Sequence, residues 1–126
     1  MIIAFYAGIL GFIYVGLTAY VIKGRFANKL SFGDGGNEDM QKRIRAHVNF
    51  MEYVPIALIL IFIAEWEGTA DLLIHILALA LIAGRLLHAA ALLDIKTAIP
   101  EARKVGMIAT IASIALASLF AFFSAF

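Results

Sequence analysis

The stretch RIRAHVNFMEYVPIALILIFIAEW, residues Arg43–Trp66, joins a polar opening to a long apolar run. From Ile44 to Trp66 it is long enough, at about 1.5 Å per helical residue, to cross a hydrocarbon core of about 30 Å. Its opening nevertheless carries Arg43, Arg45, His47, Asn49 and Glu52. A membrane helix holds such residues at its end, pairs them, or lines a wet cavity with them.

The surrounding chain says that the setting is a bilayer. Of 126 residues, 63% are apolar and 15% charged, against about 45–50% and about 25% in soluble domains. Mean hydropathy is +0.97. The apolar residues form blocks. Ile2 to Ile22 carries no charge and reads as a retained span, not a cleaved signal peptide, because no basic segment precedes it. Lys23 to Lys42 is polar and glycine-bearing and reads as a loop. Further spans run from Leu72 to Leu93 and from Val105 to Phe126, separated by EWEGTAD and by DIKTAIPEARK, where Pro100 suits a loop. These runs are too long and too evenly apolar for barrel strands. The expectation is an all-α integral membrane protein: one four-helix transmembrane domain over residues 1–126, with spans 2–22, 44–66, 72–93 and 105–126.

Basic residues set the orientation. Lys23, Arg25, Lys29, Lys42, Arg43 and Arg45 flank the first loop; Lys96, Arg103 and Lys104 lie in the third. The second loop has acids only. Counting positive charge puts loops 23–43 and 94–104 in the cytoplasm and both termini outside. Small residues at four-residue spacing, Ala109, Ser113, Ala117 and Ala121 in span four, with Ala80 and Gly84 in span three and Ala4 and Gly8 in span one, predict close helix packing within the bundle.

Other chemistries drop out. A net charge of +1 points to no nucleic-acid partner, and with no cysteine any thiol must arrive with a ligand. The three histidines have no ligand-pair spacing, so no metal site is expected. GDGG follows no strand and precedes no phosphate-loop lysine; it reads as a turn before Asn37 caps the next helix.

At about 100° per residue, Arg45, Asn49 and Glu52 share one helix face, with Tyr53 on its shoulder. Arg85 and His88, three residues apart in span three, lie at the same depth, and Arg103 and Lys104 enter span four from the same side. His75, near the opposite end, reads as interfacial. Arg45–Glu52 or Arg85–Glu52 could be pairs that only hold the bundle together. One carboxylate, however, cannot neutralise Arg45, Arg85 and Arg103, and surplus guanidinium favours a carboxylate-rich ligand. Glu52 and Asn49 would suit an ammonium and an amide.

KLSFGDGGNE, RAHVNFMEYVP, GRLLHAA and ARKVGM, in that order along the chain, resemble the membrane-associated proteins in eicosanoid and glutathione metabolism (MAPEG), in particular the bacterial, microsomal glutathione transferase-like branch. The resemblance covers essentially the whole chain. It implies a homotrimer in a bacterial inner membrane, with glutathione as co-substrate bound near the cytosolic side between subunits. By position, Arg45, Asn49 and Glu52 would hold the glutathione backbone, with Glu52 on the ammonium. Tyr53, Arg85 and His88 would line the site, and Arg103, or Lys104 one residue on, would face the thiol. Arg25 and His47 would reach in from the adjacent subunit. Leu92 stands where family enzymes often carry a tyrosine. The implied activity is that of a membrane-bound glutathione transferase or glutathione-dependent peroxidase acting on hydrophobic electrophiles or lipid hydroperoxides. The alternative is a non-catalytic lipid- or glutathione-binding protein on the same scaffold. A small four-helix exporter fits less well, since it needs a lone exposed acid and Glu52 sits among arginines.

Overall fold

The computed structural model describes residues 1–94, 101–124 and 126. It consists of four long helices: α1 (Ile2–Ala27), α2 (Glu38–Trp66), α3 (Asp71–Leu92) and α4 (Ala102–Phe123). Each is long and apolar enough to cross a membrane. Large apolar side chains on the outer surface, among them Phe5, Phe12, Phe62, Ile108, Leu119 and Phe122, face what a bilayer would supply.

The first loop is shorter than its polarity predicts. α1 continues past Ile22 to Ala27 and α2 already starts at Glu38, leaving residues 28–37 as the connection. A helix satisfies its own backbone in water as in lipid, so polar composition marks the membrane boundary and not the helix end. The predicted Asn37 cap is present: its side-chain oxygen accepts from the Met40 amide at 2.9 Å. α1 ends in a two-bond turn, with Leu30 N–H donating to Arg25 C=O (2.9 Å) and Lys29 N–H to Phe26 C=O (3.2 Å). That geometry puts Lys29 in the left-handed region, φ +55, where glycine is usual and another residue costs about 1–2 kcal/mol. α2 remains helical through Pro55. α4 begins at Ala102, three positions before the expected Val105, and Lys96 and Pro100 lie outside the described residues.

α2 and α3 form the centre. α1 packs on both from one flank and α4 from the other; α1 and α4 do not meet among the described residues. Leu10, Phe50, Ile61, Ile74, Leu81 and Ala117 meet in the core. The most extensive contact is α3 with α4. There the backbones nearly touch: a Cβ added to Gly106 would lie 2.5 Å from the Gly84 carbonyl oxygen. The buried stripe of α4 is Ala102, Gly106, Thr110, Ser113 and Ala117. The expected stripe is thus corrected at its ends, because Ala109 and Ala121 are only half-buried, as is Ala80 on α3. Ala4 and Gly8 are exposed and make no close packing within the bundle. Small-residue spacing identifies a stripe but not which neighbour it meets.

Two polar joints fix α1 to α2, one near each end. The Arg43 guanidinium lies 3.9 Å over the Tyr20 ring, bonds Asp39 at 2.7 Å, and donates to the Tyr20 carbonyl, with Gly24 leaving room for it. At the other end, the Glu65 carboxylate accepts from the Ile2 and Ile3 amides, the latter at 2.8 Å, and so caps α1. His75 belongs to this end. It shares a 2.7 Å hydrogen bond with the Tyr6 hydroxyl, a partner the sequence reading did not assign.

Candidate functional site

A cavity of about 600 Å³ opens between α2, α3 and α4. α2 contributes Arg45, Asn49 and Tyr53, α3 contributes His88, and α4 contributes Arg103, Lys104, Met107 and Ile108. Its size falls within the roughly 300–1,000 Å³ usual for small-molecule sites. One wall is cationic and polar, the other apolar.

Behind the wall lies Arg85, only 2% exposed. Its Nε donates to Thr110 Oγ1 (2.9 Å) and its Nη1 to Asn49 Oδ1 (2.6 Å). Thr110 in turn donates to the Gly106 carbonyl at 2.9 Å. The Tyr53 ring centroid is 5.3 Å from the guanidinium carbon. Nη2 has no partner. No carboxylate touches Arg85 among the described residues. The arrangement has a positional consequence: because Asn49 turns its oxygen to Arg85, its amide N–H groups are left for the cavity.

An uncompensated guanidinium in a membrane bundle is expensive, and bonds to two neutral oxygens return only part of that. Arg85→Met is therefore expected to unfold at the same temperature as wild type or higher in detergent, while binding an anionic ligand more weakly. Thermal melts and ligand titrations on the same preparation test this. A large drop in melting temperature would mean that Arg85 is a structural strut instead.

The expected site residues separate into three groups. Arg45, Asn49, Tyr53, His88 and Arg103 come together at the cavity, and Lys104 joins them. Arg85 supports them from behind. Glu52, Arg25 and His47 lie elsewhere. Glu52 is on the exposed side of α2, its Oε1 3.8 Å from Arg45 Nη1. His47 faces α1, with Nε2 3.0 Å from Thr18 Oγ1 and its ring stacked on Tyr14 at 4.9 Å. Arg25 donates from Nη1 to the Gly33 carbonyl at 2.6 Å. Thr110, Met107 and Ile108 were not singled out in the sequence; they sit in an apolar and small-residue run with no local feature to mark them, though Thr110 is one turn past Gly106.

A second chamber of about 390 Å³ shares Arg45 and Arg103 with the first and adds Leu92 and Asp94 from the end of α3. Across it, Lys42 bridges Asp94 at 2.5 Å and Glu38 at 3.0 Å, tying the start of α2 to the end of α3. Lys104 pairs with Glu101 at 3.3 Å, whereas Arg103 has no ion-pair partner among the described residues.

Comparison with known proteins agrees with this architecture. The MAPEG family matches residues 3–123. The chain is 35% identical over 88 residues to Inner membrane protein YecN of Escherichia coli (strain K12), covering 70% of this chain and 67% of that protein. The same figures hold for Inner membrane protein YecN of Escherichia coli O6:H1. The four spans and this likeness place the chain in a bacterial inner membrane. With nearly its whole length matched, the chain belongs to the MAPEG family.

Proposed function

We propose that the cavity binds glutathione and that the protein is a membrane-bound glutathione transferase or glutathione-dependent peroxidase. The observation that carries this is the gathering of Arg45, Arg103 and Lys104 at one wall, where Glu52 pairs with Arg45 and Glu101 with Lys104, leaving Arg103 without an ion-pair partner among the described residues. A carboxylate of the ligand suits Arg45, since a guanidinium binds such a group bidentately. The Asn49 amide suits a peptide carbonyl.

Arg103, unpaired among the described residues, is the group to stabilise the thiolate. The thiol proton leaves to water. The thiolate then attacks an electrophilic carbon, forming the C–S bond as the leaving group departs. With a hydroperoxide it attacks the terminal oxygen instead. The O–O bond breaks, the alkoxide leaves and takes a proton from water to become the alcohol, and a second glutathione converts the sulfenic product to disulfide and water. Met107 and Ile108 offer the hydrophobic acceptor an apolar approach. Arg25 and His47, turned away from their own chain's cavity, support a homotrimer in which they serve a neighbour's. A binding-only role is the second reading; it is favoured by Leu92, which brings no hydroxyl to the second chamber.

Glutathione binding to the detergent-purified protein tests the proposal. Arg45→Ala is expected to weaken it by about 10- to 100-fold, the loss of one charge-assisted interaction. Wild-type protein that binds no glutathione would overturn the reading. Binding without a thiolate absorbance signal would favour the binding-only role.

A further inference from the structure

Beside the cations of the cavity stands one thioether. Met107 is half-buried on the second turn of α4, where the cationic wall of the cavity gives way to the apolar one. Of the other methionines, Met40 is sealed in the core, while Met1 and Met51 are 72% and 48% exposed and do not line the cavity. We propose that Met107 is an oxidation site: an organic hydroperoxide bound in the cavity converts its thioether to the sulfoxide, whose oxygen then occupies the Arg103 guanidinium. The proposal rests on the reading of the cavity as a site for hydrophobic hydroperoxides, and it gives that site a means of regulation.

Arg103 precedes Met107 by four residues, so the two side chains share one face of α4, one turn apart. Arg45 and Lys104 have carboxylate partners, whereas Arg103 has none among the described residues. Across the Gly84–Gly106 approach, His88 lines the same cavity. It is 4% exposed and makes no side-chain hydrogen bond among the described residues. Two polar groups without partners therefore converge beside the one sulfur of the cavity. The other large apolar side chains of α4 are valine, isoleucine, leucine and phenylalanine. Any of these would supply apolar surface at position 107; methionine alone adds a sulfur lone pair.

A hydroperoxide on a hydrophobic tail brings its polar head to this layer and leaves its tail along Ile108. The Met107 Sδ lone pair attacks the terminal oxygen, and the S–O bond forms as the O–O bond breaks. The Arg103 guanidinium stabilises the departing alkoxide. The alkoxide takes the proton from the oxygen now on sulfur, which leaves an alcohol and a sulfoxide. Sulfur has lost two electrons and the peroxide has gained them. The product changes the site, because a polar S=O now stands where a weak thioether acceptor stood. One turn from Arg103, that oxygen accepts from the guanidinium that would otherwise stabilise the thiolate. Conjugation therefore slows when hydroperoxide outruns glutathione, and methionine sulfoxide reductase reverses the change.

Peptide mass spectrometry of the detergent-purified full chain, treated briefly with cumene hydroperoxide in the absence of glutathione, tests the proposal. One added oxygen is expected at Met107 about tenfold faster than at Met1 or Met51, because the cavity holds the oxidant beside the sulfur. Arg103→Ala should slow oxidation at Met107 by about tenfold, the loss of one charge-assisted interaction, and leave Met1 and Met51 unchanged. After the peroxide is removed, glutathione is added and its thiolate absorbance is read. Oxidised wild type should bind glutathione but lose the thiolate signal, and methionine sulfoxide reductase should restore it. Peroxide-treated Met107→Leu should match its own untreated sample. Oxidation at Met107 no faster than at Met1 and Met51, the same rate in Arg103→Ala, or an unchanged thiolate signal after oxidation would overturn the proposal. Equal signal loss in treated Met107→Leu would overturn it too, by placing the damage elsewhere. Untreated wild type that binds no glutathione would sink the glutathione reading instead, and the oxidation rates, measured without glutathione, would still decide whether Met107 is the site.

Discussion

Gly106→Ala is expected to destabilise the bundle by about 1–3 kcal/mol, the usual effect of forcing atoms into a packed contact. The added methyl would lie 2.5 Å from the Gly84 carbonyl oxygen and 2.8 Å from the His88 amide nitrogen. Both neighbours are backbone, so no rotamer change relieves the clash and α3 and α4 must separate. Gly84→Ala should act alike, since its Cβ would meet the Gly106 carbonyl oxygen at 2.7 Å and Thr110 Oγ1 at 2.6 Å. The two describe one contact, so the double variant should lose less than the sum. Gly8→Ala and Gly16→Ala are the controls; nothing lies within 4 Å of a Cβ at either position. Alanine there should be neutral or stabilising, since glycine costs a helix interior about 1 kcal/mol. Melting temperatures in detergent decide it: equal values for Gly106→Ala and the controls would mean that the α3–α4 contact is looser than described. Because His88 and Arg103 stand on the two sides of this contact, ligand affinity should fall with stability.

Arg103→Ala is expected to lower kcat for glutathione conjugation by about 100- to 1,000-fold, the effect of removing one preorganised group that stabilises developing charge. Its effect on glutathione affinity should be smaller. Lys104→Ala should cost much less, because the Lys104 ammonium is already held by Glu101 at 3.3 Å while Arg103 carries no such partner among the described residues. Thiolate absorbance of bound glutathione gives a second readout: it should be lost in Arg103→Ala and kept in Lys104→Ala. The reverse pattern would move the thiolate role to Lys104, and equal kcat for all three proteins would remove charge stabilisation at this wall from the mechanism.

The spans were legible because a bilayer imposes a length on apolar runs, and Asn37 announced its own helix. The ends of α1 and α2 were not, because Lys23–Ala27 and Glu38–Lys42 are polar and helical at once. The site was legible as a layer but not as a direction. Around α2, Glu52 falls about 20° behind Arg45, while Asn49 and Tyr53 fall about 40° and about 80° ahead. The cavity lies on the forward side. Asn49 and Tyr53 therefore turn inward, and Glu52 stays outside and pairs with Arg45. Only the position of α3 fixes which side is inward, and no periodicity within α2 contains it. Likewise, nothing near Thr110 in the sequence says that its hydroxyl will hold Arg85, since the two residues are brought together by the Gly84–Gly106 approach.

Every residue of the cavity wall comes from α2, α3 or α4, and α1 never touches α4 among the described residues. The chain is thus divided into a three-helix working part and a helix that leans on it. Substitutions along the outward side of α1 short of Arg25 leave this chain's chamber walls where they are, so that stretch is free to diverge with the composition of the host membrane or the shape of an abutting copy. Substitutions in α3 or α4 have no such latitude, because the same two helices form both the tightest joint in the molecule and two of the three walls of its chamber.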